Sequence, residues 1–186
     1  MTVFSVVVFL HLAGALALFI GYGLEWTVSA LFRSAVNVEQ LRSWLRVFKV
    51  SAPLSGAGLG VLLLSGAYLA SLSGAMRQGW IPATLLGIFL ALALGFAIIL
   101  PRMKRIRAAL HAAPDPLSSA LRSALADPVL LTAIRVRVML ATGIVYLMVA
   151  KPALDPSLLV LAIAVALGVV FSLSVWKRMS SATPSS

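Results

Sequence analysis

Five long apolar runs, set apart by clusters of Lys and Arg, constrain this chain more than any motif in it. A helix needs ~20 apolar residues to cross a ~30 Å hydrocarbon core, and the runs at about 3–24, 50–72, 80–100, 129–150 and 157–176 meet or approach that length. Backbone polar groups in lipid must be satisfied within the segment, so such runs become helices. The reading is an all-α, polytopic membrane helical bundle with five transmembrane helices. It forms one domain over 1–179, with a disordered Ser- and Pro-containing tail at 180–186.

Charge orients the bundle. Thirteen of the fifteen Lys and Arg residues fall in three stretches: Arg33 to Lys49, Arg102 to Arg137, and Lys177-Arg178. The second and fourth connections carry only Arg77 and Lys151. Basic loops stay in the cytoplasm, which gives an N-out/C-in topology. Trp26, Trp44, Trp80 and Trp176 fall near the span ends, where an aromatic belt belongs. The expected setting is the bacterial cytoplasmic (inner) membrane, with anionic lipid at the cytoplasmic face. The net charge of +10 is a membrane signal here, and no nucleic-acid partner is expected, since no basic stretch stands clear of a span.

Composition removes several chemistries. With 61% hydrophobic and 11% charged residues, the excess apolar surface must face lipid. The chain has no cysteine, which excludes disulfides, iron–sulfur clusters and Cys-ligated zinc. Met1-Thr2-Val3-Phe4 lacks a basic n-region, so the first run reads as a retained span. Nothing forms a carboxylate dyad, a Ser–His–Asp set or a phosphate loop.

The cytoplasmic connections read as partly helical. Asn37 with Gln40 resembles a capping box ahead of a face made by Val38, Leu41, Leu45 and Phe48. Asp115-Pro116 opens a second segment with Leu117, Leu121 and Leu125. These are expected to rest on the inner leaflet, or else to dock a membrane partner. Pro53 fits the first turn of the second span, and Asp127-Pro128 caps the fourth. Small residues at four-residue spacing mark helix contacts: Ala13, Ala17 and Gly21; Gly56 and Gly60; Ala164, Gly168 and Ser172. A homodimer through one such stripe is compatible with the pattern.

His11 is the ionisable residue deep in a span, roughly 12 Å in by helix rise. An intramembrane imidazole is costly without a partner and is a functional-site hypothesis by default. Three readings stand: packing through a Ser, Thr or Tyr; ligation of haem iron or a metal ion; and a proton relay or solute path. Depth matching puts Ser65-Gly66, Ile88, Thr142-Gly143 and Val165 level with it, with no second imidazole, which excludes intramolecular bis-histidine haem. His111, beside a loop proline, reads as solvated. Tyr68, Tyr146 and Met148 share the outer half of the bundle and are the candidates to complete a His11 pocket, with His11 the metal or haem b ligand. His and Met suit reduced copper, but no Met-x-Met or His-rich cluster occurs. At the inner end, Glu25 beside Trp26 is expected to pair with Arg135 or Arg137.

Leu10-His11-Leu12-Ala13-Gly14, with Gly21 and Gly23 beyond, resembles the opening helix of a bacterial family of predicted integral membrane proteins of unknown function. Tyr146-Leu147-Met148-Val149-Ala150-Lys151-Pro152 is similar to a Leu-Met…Lys-Pro element of the same family. That family looks related in outline to copper-resistance D and protoporphyrinogen-oxidase-like membrane proteins. The resemblance implies a helical bundle with a haem-associated His11 near its centre. It also implies that Lys151 either faces an outer-side pocket or anchors at the interface. A haem- or metal-binding, redox-linked bundle is the leading expectation. A small-solute or ion transport component and a non-catalytic assembly subunit are the alternatives.

Overall fold

The computed structural model describes residues 2–112 and 118–180, and among them every regular element is helical. The order is α1 (Val3–Leu31), α2 (Val38–Leu72), α3 (Trp80–Ala93), a π-helical segment (Leu94–Ile99), α4 (Leu100–Ala112), α5 (Ser119–Leu125), α6 (Pro128–Ala150) and α7 (Leu154–Ser180). Five helices are long and apolar enough to cross a membrane: Val3–Leu31, Val38–Leu72, Trp80–Leu110, Leu121–Ala150 and Leu154–Leu173. The end bearing the basic clusters is called inner below, following the positive-inside pattern. Asp115, Pro116, Leu117 and residues 181–186 lie outside the described residues, while Ser180 ends α7.

Helices run past the membrane-length runs at the inner end. The amphipathic Val38–Phe48 segment and the second span are one helix, so Pro53 sits in a helix interior and not in a first turn. Asn37 caps this helix by accepting from the Gln40 N–H at 2.8 Å, while Gln40 Oε1 takes the Val36 N–H at 3.0 Å. The third span likewise continues into α4. Pro101 offers no N–H to Ala97 and its ring crowds that carbonyl, and the backbone widens just before it: the Leu100 N–H reaches Gly95 O, five residues back.

The inner extensions form a core of their own. Val38, Leu41, Leu45 and Phe48 are buried against Phe32, Met103, Ile106, Leu110, Leu121, Leu125 and Leu130. Neither a helix resting on lipid nor a docking face survives here, because the apolar faces of the two connections close on each other. Ser118 caps α5 by accepting from the Leu121 N–H at 3.2 Å, which places the start of this helix after Asp115. Asp127 caps α6 through Val129 N–H at 2.8 Å and pairs with Arg102 Nε at 2.7 Å, fastening α4 to α6.

Within the membrane region two helix groups meet. Helix α1 packs along α2, and α3 and α7 pack on α6, which also touches α1. The α1–α2 contact is a backbone crossing of Gly14 and Gly58: a Cβ on Gly58 would lie 2.7 Å from Gly14 O and from Leu18 N. Gly21 lies equally close to Ser55. Gly56 and Gly60 have nothing within 4 Å, so the GxxxG spacing points away from the contact. The α7 stripe does pack, with Ala164 on Gly143, Gly168 on Val136, and Ser172 buried. Trp80 is buried beside Ala70 and Ala75 and is no lipid-facing belt residue.

Candidate functional site

Between the α1/α2 pair and the α3/α6 pair lies a cavity of about 710 Å³. Small-molecule sites span ~300–1,000 Å³. Along α3 its wall runs from Trp80 to Ala91, ~16 Å of helix at 1.5 Å per residue. The wall is largely aliphatic, with Leu18, Leu62, Leu63, Ile88 and Ile144 prominent. Its outer rim carries Ser73, Met76 and Lys151, and its inner end reaches Tyr22.

His11 lines this cavity. Its Nδ1 lies 3.0 Å from Ser65 Oγ, whose own hydrogen points at the Val61 carbonyl at 2.5 Å. With that hydroxyl hydrogen already committed, Ser65 accepts, so the neutral ring carries its proton on Nδ1 and donates it. Nε2 then keeps its lone pair and has no hydrogen bond among the described residues. Gly66 lets the ring lie flat on α2, since a Cβ there would stand 3.1 Å from His11 Cε1. The depth match of His11 with Ser65 and Gly66 is thus a direct contact. Of the other pocket candidates, Met148 lines the cavity, whereas Tyr68 (41% exposed) and Tyr146 (56% exposed) lie outside its lining and face outward. Both tyrosines sit at the right depth on the wrong face of their helices.

Two lining residues carry signals that depth alone does not reveal. Thr84 is 5% exposed, and its Oγ1 has no hydrogen-bond partner among the described residues. Lys151 ends α6 with φ 47° and ψ 50°, the only non-glycine residue described with a positive φ. Pro152 disfavours the right-handed helical region for the residue before it, so the chain leaves α6 through a left-handed turn that fixes Lys151 on the rim.

The inner end of the cavity rests on a charged pair. Arg137 Nη1 donates to Glu25 Oε2 at 3.0 Å, with Glu25 3% and Arg137 13% exposed. The Arg137 guanidinium also lies 4.1 Å from the centroid of the Tyr22 ring. Gly95, in the widened turn of the third span, faces the same guanidinium. Arg135, the other candidate, donates instead to the Phe171 carbonyl at 2.7 Å and lies over the Trp26 ring.

Among the described residues no group of three or more His, Cys, Asp or Glu side chains comes together to hold a metal ion. His11 and Met148 are the cavity's strongest donors, so a bound metal would have to bring most of its own ligands.

No curated protein and no solved structure matches the chain. A family model for predicted integral membrane proteins does match, over residues 5–152. That span holds every residue lining the cavity and the Glu25–Arg137 pair. It supports the membrane family of unknown function and does not extend to copper-resistance D or protoporphyrinogen-oxidase-like proteins. The chain therefore belongs to DUF2269, the family described as predicted integral membrane proteins.

Proposed function

We propose that this protein is a haem-binding, redox-linked membrane bundle in which His11 would hold the iron through Nε2. The observation that carries the reading is the Ser65 contact at Nδ1 of a ring that lines an apolar cavity of about 710 Å³, which leaves Nε2 as the nitrogen available to a ligand. A metal-ligating histidine commonly donates its other N–H in this way, which fixes tautomer and orientation. A porphyrin carries four nitrogen ligands itself, so one imidazole suffices where the described residues form no multi-residue metal cage. Haem b would supply one-electron chemistry; the protein's part is to orient His11, exclude water with the Leu and Ile wall, and keep Met148 in the same cavity as a further donor.

The transport reading has one observation in its favour. Polar groups line the cavity at intervals from Lys151 at the rim, through Thr84 and His11, to Tyr22 above the buried Glu25–Arg137 pair. That is an order suited to a small solute or a proton. The assembly-subunit reading loses its proposed docking face, because Leu41 and Leu45 are buried within the chain.

The test is an absorption spectrum of protein purified from haem-replete cells, oxidised and reduced, beside His11→Ala and Ser65→Ala. A Soret band is expected in the parent, lost in His11→Ala and weakened in Ser65→Ala. A featureless parent spectrum, or a band indifferent to His11, would remove the haem reading and leave transport standing.

A further inference from the structure

We propose that the cavity takes an amphiphile bearing a carboxylate. Its apolar body lies between the α1/α2 and α3/α6 pairs and its carboxylate pairs with Lys151 at the outer rim. Two observations converge on this class. The volume and the aliphatic wall suit one apolar body of small-molecule size. Lys151 is the one Lys or Arg among the lining residues described, and the left-handed turn ahead of Pro152 holds it at the rim.

The carboxylate class covers two sources, a porphyrin propionate and a fatty acyl acid. Both would place the acid at the water-facing rim and the apolar part inward, past Thr84 toward Ile88 and Ala91. The inference rests on the cavity being a ligand site, as in the haem reading, but needs neither iron nor ligation by His11.

Trp80 provides the readout, because it lines the cavity and is buried there. Fluorescence of the full chain in lipid nanodiscs is titrated with iron-free protoporphyrin and with dibrominated stearate, each beside its methyl ester, and Trp80→Phe gives the blank. Saturable Trp80 quenching by at least one acid is expected, with the ester roughly tenfold weaker, as the loss of one charge-assisted pair implies. Lys151→Gln abolishes the preference, and Lys151→Arg keeps most of it. Lys151 is exposed at a helix end, so both variants should fold. Equal titration by acid and ester, no saturable quenching, or an acid preference that survives Lys151→Gln overturns the proposal. A preference confined to one of the two acids identifies the source. An acid preference in protein that shows no Soret band would retire haem and leave this inference standing.

Discussion

Glu25 and Arg137 set the terms for what a single substitution can do here. The pair is nearly sealed at the inner end of the bundle, with Tyr22 stacked on the guanidinium. Removing one partner of a buried pair leaves an uncompensated charge and costs about 3–5 kcal/mol. Glu25→Ala is therefore expected to lower Tm in detergent by many degrees. Glu39→Ala, at an exposed site in the first turn of α2, should change it little. Thermal melts of the two variants side by side check this, and equal shifts would show that the pair contributes nothing. Glu25→Gln should fall between them, since it keeps an acceptor for Arg137. At the outer rim the sign reverses. Lys151→Gly relieves the left-handed cap, whose cost for a residue with a Cβ is roughly 1–2 kcal/mol, so it should raise Tm while erasing any acid preference. A fall in Tm would show that the Lys151 side chain carries stability of its own.

Helix contacts test how far spacing alone can be read. The sequence marks Gly56 and Gly60 as a contact stripe, yet the crossing runs through Gly14 and Gly58. Spacing of four says that two glycines share a face, but not which face meets a neighbour, and in lipid the outward face is as apolar as the inward one. Gly58→Ala would drive a Cβ against backbone atoms at 2.7 Å and should destabilise by about 1–3 kcal/mol, as overpacking does. Gly56→Ala and Gly60→Ala meet nothing and should leave stability unchanged or slightly higher. If Gly56→Ala proved as damaging as Gly58→Ala, that face would have to be covered by another chain. The same ambiguity hid the facing of Tyr68 and Tyr146, whereas His11 with Ser65 was half legible: depth offered Ser65 and Thr142, and only the fold chose Ser65. Thr84 left no signal beyond residue type, since an unpaired hydroxyl exists only once the chain is folded, whereas Lys151 stood out in the Lys-Pro element and only its positive φ was hidden. The inner core was half legible. Its apolar faces stood out at four-residue spacing, and their mutual burial depended on a fold-back that no local pattern encodes. Leu41→Ala, at a fully buried position, should cost about 2–5 kcal/mol.

Taken whole, the molecule is asymmetric across the membrane. The inner half is closed by the packed extensions of α2, α4 and α5 and by the Arg102–Asp127 and Arg137–Glu25 pairs. The cavity lies outward of these pairs, between helix groups whose mutual contact is chiefly α1 on α6. A ligand of the proposed class would enter from the outer side or from lipid, with its polar end at Lys151. This directionality depends on the charge-derived orientation, and the absence of native cysteine makes that easy to check with single introduced thiols. Asp155→Cys, exposed at the start of α7, and Arg46→Cys, exposed on the inner extension of α2, sit at opposite ends of the bundle. In intact cells an impermeant maleimide should label Asp155→Cys at once and Arg46→Cys only after permeabilisation. The reverse pattern would turn the bundle over, place the cavity mouth and Lys151 on the cytoplasmic side, and make the cytoplasm the source of whatever the cavity holds.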